Sequence, residues 1–118
     1  MQENFDDIPS KMEFLELSSQ DIEHILEYDL GVPEIDVYNA YVKWADHQLI
    51  KKGMKVTDKN RQLVMNDFRL IRFPCMSMSE FVKGPGSSNI LTPEEKNETI
   101  LYLQDPHEYK TSFITHER

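Results

Sequence analysis

The sequence predicts an all-α domain of stacked short helices and helical hairpins, ending in an irregular C-terminal tail. Three observations point there. Apolar residues recur at helical spacing in several separate segments, and those segments carry start and stop signals. No stretch alternates at period two for long, so a sheet is not expected. The 118 residues suit one compact domain and are too few for two ordinary ones. A hydrophobic fraction of 39% supports a modest core without metal or disulfides.

The elements follow in order. A first short segment, 11–17, carries Phe14, Leu15 and Leu17. Ser18 with Asp21 has the reciprocal capping spacing, and it opens a helix over 20–28 with Ile22, Ile25 and Leu26 on one face. Gly31 breaks the chain, and Pro33 suits the first turn of the next helix, where its missing N–H costs nothing. That helix, 33–52, is the longest. Val37, Ala40, Tyr41, Trp44 and Ala45 form its apolar stripe, Lys51 and Lys52 complement its dipole, and Gly53 stops it.

Thr57 starts a further helix expected to run to Ile71, with Leu63, Val64, Phe68 and Ile71 facing inward. Pro74 ends the region. Ser77 with Glu80 opens a short helix through Val82, and residues 83–89 (KGPGSSN) read as a loop. Thr92, Pro93 and Glu95 give the clearest helix start in the chain; Ile100, Leu101 and Leu103 supply its apolar side, and Asp105-Pro106 closes it. The helical domain is therefore expected over 1–105, with 106–118 a tail or linker toward a following domain. Tyr109, Phe113 and Ile114 are too many apolar residues for a pure linker.

Charge and cysteine content narrow the function. A formal net charge of -8 argues against a surface built to neutralise phosphate. Residues 1–36 hold eleven carboxylates and one base, Lys11, against ten acids and twelve bases in the remainder. Solvated helix faces account for this more simply than steering of a basic partner. Cys75 is the single cysteine, so no disulfide framework forms within the chain and a reducing compartment, cytoplasmic or nuclear, is expected. No apolar run reaches membrane-spanning length, and the acidic start is not a signal peptide.

No motif in the sequence marks a catalytic, cofactor-binding or metal-ligating residue. His24, His47, His107 and His116 include no pair at i, i+4, and there is no HExxH, so surface histidines are the simpler reading. Cys75 follows Phe73-Pro74 and has no activating base nearby in sequence; a buried, inert thiol is expected. Gly84-Pro85-Gly86 lacks the Lys and the strand–turn–helix setting of a phosphate loop. Lys51, Lys52, Lys55, Lys59, Arg61, Arg69 and Arg72 form the basic region and read as solvated charge balancing the acidic first third. Trp44 reads as core, and Met54, Met65, Met76 and Met78 fit either core gap-filling or an adaptable groove.

The order of these features resembles the BACK domain, the helical module that follows BTB in many adaptor proteins. The matching positions are Phe14, Leu15, Ile25, Leu26, Asp29, Leu30, Val32, Glu34, Val37, Ala40 and Trp44 in the first part. Ile71, Arg72, Pro74 and Met76 match in the second, RLIRFPCM. The resemblance covers roughly residues 4–104, and 88–103 (SNILTPEEKNETILYL) looks most like adaptors that carry a C-terminal PHR β-domain. It singles out Phe14, Leu15, Asp29, Leu30, Glu34, Val37, Ala40, Trp44, Arg72 and Pro74 as fold-defining positions.

The resemblance implies a fragment that starts after the BTB fold and its cullin-contacting helix pair and ends before any kelch or PHR domain. It implies a non-catalytic scaffold of a substrate adaptor for a cullin-RING ubiquitin ligase. The partners would be the BTB and substrate-binding domains of the same parent, with the cullin reached only through the missing segment, and neither nucleic acid nor membrane. The competing reading is a direct protein-interaction module, with a peptide groove or self-association, not tied to ubiquitination. An enzyme would need a cleft gathering distant His, Cys and carboxylates. A DNA-binding helix would rest on Arg61, Gln62, Asn66 and Arg69.

Overall fold

Short helices with one apolar face must stack to hide those faces, and this chain does so around its longest helix. The structure, a computed structural model, describes residues 15–27 and 33–115. Five α-helices are formed there: α1 Ser19–Glu27, α2 Glu34–Lys51, α3 Asp58–Val64, α4 Met78–Lys83 and α5 Pro93–Gln104. Single 3₁₀ turns lie at Phe68–Leu70, Phe73–Cys75 and Pro85–Ser87. No strand occurs among the described residues, and the fold is all-α. Tyr28 and Gly31 lie outside the described residues, as does the start of the segment predicted over 11–17.

The local start signals act as expected. Ser18 accepts the Asp21 N–H at 3.1 Å while Asp21 accepts the Ser18 N–H at 3.3 Å. Ser77 with Glu80 and Thr92 with Glu95 form full reciprocal boxes, and Thr57 accepts the Asn60 N–H. Each satisfies N–H groups that a helix start leaves without partners. Pro33 stands just ahead of α2 rather than inside its first turn, its carbonyl accepting from Asp36 and Val37. At the other end Gly53 takes φ 71°, with Gly53 N–H bonded to Ile50 O and Met54 N–H to Leu49 O. This is the paired-bond stop that glycine permits.

The stripe of α2 is the spine of the core: Val37, Ala40, Tyr41, Trp44 and Ala45 are all buried. Ile22 and Leu26 of α1 and Phe73 belong to the same buried cluster. Phe73 is an aromatic hub, meeting Tyr38, Phe81 and Phe113 edge-on at 6.0, 6.1 and 5.0 Å between ring centroids. Met65 and Met76 are buried gap-fillers in this core.

The helix expected over 57–71 is broken. It ends at Val64, and Leu63, expected inward, is 61% exposed. Tyr41 supplies the reason: its hydroxyl accepts the Asp67 N–H at 3.0 Å, giving that amide a partner outside any helix. Asn66 and Asp67 also favour turns over helix interiors. The break lets Met65 and Ile71 both reach the core, which a straight helix would place on different faces. In α5 the fully buried residue is Thr99, whose hydroxyl donates to Glu95 O at 2.9 Å, while Leu101 is only half-buried.

Candidate functional site

For a chain without an obvious reaction centre, the informative sites are those where its ends meet the core. Two such sites are built here. The upstream one is a stripe of hydrogen-bond donors on α2. Trp44, His47, Gln48 and Lys51 fall at i, i+3, i+4 and i+7, so they share one helix face. All four reach residues 15–17. The Gln48 amide donates to Leu15 O at 2.7 Å and the Trp44 indole N–H to Leu17 O at 2.8 Å. His47 Nε2 lies 2.7 Å from one Glu16 oxygen and Lys51 Nζ 2.8 Å from the other.

The chemistry of this clamp follows from helix ends. Leu15 is helical and Glu16 turns, so carbonyls here have lost their in-helix donors. Gln48 and Trp44 replace them. Hydrogen bonds from Lys51, then His47, hold the Glu16 carboxyl below the usual carboxylate range. Because Glu16 is exposed, this pair orients more than it stabilises.

Between the ends, an ion network ties α2, α3 and the loop before α5. Arg61 forks onto Asp46 at 2.6 and 3.2 Å and donates to Asp58 at 2.7 Å. Asp58 accepts the Asn89 N–H at 2.9 Å, the first reason its carboxyl is held low; Arg61 adds to it. Gln62 donates to Asn89 O and Ile90 O. Gly84 allows the close approach of α4 to α2, since a Cβ there would lie 3.0 Å from Ile35 Cδ1 and 3.1 Å from Glu80 O. The basic region is thus not simply solvated charge: Arg61 is half-buried in this network and Arg72 is buried at 5% exposure. Arg61, Gln62 and Arg69 each make hydrogen bonds within the domain.

The downstream site lies where the chain returns after α5. Phe113 is buried against Phe73 and meets Phe68 at 6.4 Å between centroids. The Arg69 guanidinium lies 4.6 Å from the Phe113 ring centre, a cation–π distance. The same guanidinium donates to Glu95 Oε2 and Ser112 Oγ, both at 2.8 Å. Ser112 N–H donates to Glu98. Burial alone would raise the Glu98 carboxyl, but its hydrogen bonds from Ser112 and Thr111 outweigh that and hold it low. Cys75 is half-buried rather than buried as expected, its thiol donating to Thr115 O at 3.4 Å.

The positions expected to define the fold are placed as follows. Val37, Ala40, Trp44 and Pro74 are in the core, and Leu15 lies half-buried under Gln48. Glu34 and Arg72 meet: the Arg72 backbone N–H donates to Glu34 Oε2 at 2.8 Å, tying the first turn of α2 to the Phe73–Cys75 turn. Phe14, Asp29 and Leu30 lie outside the described residues. Sequence reasoning missed His47, Gln48, Lys51, Arg69 and Phe113 as contact residues. The run of donor-bearing side chains at helical spacing is a usable signal for the first three.

Among the described residues no group of three or more His, Cys, Asp and Glu side chains gathers in a metal-holding arrangement, and no helix is long and apolar enough to cross a membrane. Residues 1–84 match the BACK family, described as "BTB And C-terminal Kelch".

The chain belongs to the BACK family.

Its relatives are BTB proteins. BTB/POZ domain-containing protein 6 of Homo sapiens is 32% identical over 91 residues, covering 75% of this chain and 17% of that protein. BTB/POZ domain-containing protein 6-B of Danio rerio is 30% identical over 107 residues, 89% of this chain and 22% of that protein. BTB/POZ domain-containing protein 3 of Homo sapiens is 27% identical over 107 residues, 89% of this chain and 20% of that protein. This BACK chain therefore spans about a fifth of the length of the relatives it matches. No solved structure matches it.

Proposed function

We propose that this BACK domain is a non-catalytic helical scaffold of a BTB-type substrate adaptor for a cullin-RING ubiquitin ligase, working in the cytoplasm or nucleus. It sets the distance and angle between a cullin-bound BTB domain upstream and a substrate-binding domain downstream. Ubiquitin transfer is left to other subunits. The observation that supports this is the donor stripe of α2. Four side chains grip three consecutive residues, 15–17, so chain arriving from upstream is held in one orientation against the longest helix. A spacer needs that stiffness; a free-standing binding module does not.

The test uses a chimera in which this chain replaces the matched segment of human BTB/POZ domain-containing protein 6. Cullin co-purification and ubiquitin transfer to a bound protein are measured. A short glycine–serine insert immediately before Leu15, upstream of the gripped residues, is expected to leave cullin binding intact and to depress transfer. Unchanged transfer with the insert would remove the scaffold reading. Calorimetry of the chain alone against a cullin N-terminal domain is expected to give no tight binding, and tight binding would place the cullin contact inside the BACK domain itself.

A further inference from the structure

The segment after α5 has an unusual distribution of contacts. Residues 105–110 are exposed, including Tyr109 and Lys110. Then, within four residues, the chain is anchored to three separate elements. Ser112 is held by Arg69 of the Phe68–Leu70 turn and by Glu98 of α5. Phe113 fills the space between Phe68 and Phe73, and Thr115 O accepts from Cys75 of the Phe73–Cys75 turn. None of these anchors is part of a helix that includes residues 111–115, so nothing in the backbone ladder obliges this segment to open only when the helices do.

We propose that residues 111–115 are a strap that closes over the side chains of Phe68, Arg69 and Phe73 and opens without unfolding of the helices. One apolar plug supplies most of the holding force, because a buried aromatic ring outweighs exposed polar contacts. Arg69 acts as the catch. Its guanidinium covers the Phe113 ring while its other nitrogens link Glu95 to Ser112, so closing the strap also bears on the capping carboxylate of α5. Closed, the strap fixes where the chain leaves the core. Open, it uncovers the edge of the aromatic hub. The strap stands on these contacts alone; its use to orient a downstream domain rests on the scaffold reading.

The test is native-state amide exchange on the whole 118-residue chain, with tryptic cleavage after Lys110 as a second readout. The Ser112 and Phe113 amides are expected to exchange through an opening insensitive to low denaturant, while amides of α2 follow global unfolding. Phe113→Ala is expected to speed both readouts by roughly a few hundredfold, following the lower end of the usual cost of emptying an aromatic site. Arg69→Lys keeps the charge but loses the fork and the planar stack, and roughly tenfold is expected. Exchange of Ser112 and Phe113 only through global unfolding would overturn the proposal. So would a Phe113→Ala chain that fails to fold, or one whose cleavage after Lys110 is unchanged. None of these results depends on cullin binding or ubiquitin transfer, so the strap and the scaffold reading fail separately.

Discussion

Individual side chains here are decided by where their polar atoms find partners. Asp67 is the instructive case. Its N–H is taken by Tyr41, but its carboxylate sits partly buried, with Glu23 and Glu27 of α1 nearby. Burial first, then those two charges, push the Asp67 carboxyl above its ordinary value of 3.8. A carboxylate raised in this way penalises the folded state once ionised, so the cost is present at neutral pH and fades as pH falls toward the carboxylate range. Asp67→Asn is therefore expected to stabilise the chain at pH 7 by roughly 0.5 kcal/mol. Thermal melts should show that advantage vanishing when the buffer is brought to about pH 3.5, where the wild-type carboxyl is itself largely protonated. A larger advantage in acid than at neutrality would contradict the assigned cause.

At the scale of elements, the starts and stops of helices were readable because they are local. Ser18, Thr57, Ser77 and Thr92 each act on an amide three residues away. Thr92→Ala is expected to cost about 1 kcal/mol in chemical denaturation, the usual value of such a cap. Gly53→Ala should cost a similar amount, about 1 kcal/mol, for a different reason. No heavy atom lies within 4 Å of a Cβ at Gly53, so the whole effect is the strain of φ 71°. Asn at this position, which tolerates the left-handed region, should recover part of the loss. The end of α3 was only weakly signalled, by Asn66 and Asp67, because the Tyr41 hydroxyl that takes the Asp67 N–H is 26 residues away. The place of Phe113 against Phe73 depends on a chain reversal after α5 that no local pattern encodes.

For the whole molecule, the apolar spine of α2 and the all-helical class were legible, since both follow from periodicity. The contacts that join the chain's outer segments to the core were not, since they pair residues such as Glu16 with Lys51 and Arg69 with Ser112. These pairs also set the response to acid. Glu16 and Asp58 are both held below their ordinary values of 4.5 and 3.8. A carboxylate lowered by folding contributes stability above its unfolded value, and that contribution is lost as pH falls through the folded one. Glu16→Gln is expected to lower the melting temperature slightly at pH 7. The gap to wild type should narrow only once pH falls below the ordinary value of 4.5 and through the lower folded value, where Glu16 takes up its proton. A gap that persists in acid would mean that the Glu16 side chain acts through packing rather than through Lys51 and His47.

Trp44 is the one tryptophan in the sequence, and its indole N–H is spent on the Leu17 carbonyl. The chain thus carries a built-in optical probe at the upstream clamp. Loosening residues 15–17 would strip the indole of its acceptor and admit water, shifting its emission to the red. Release of residues 111–115 leaves the Leu17 carbonyl on the indole and is expected to shift that emission less. A single intrinsic fluorophore therefore reports on the upstream clamp, with no label added to the protein.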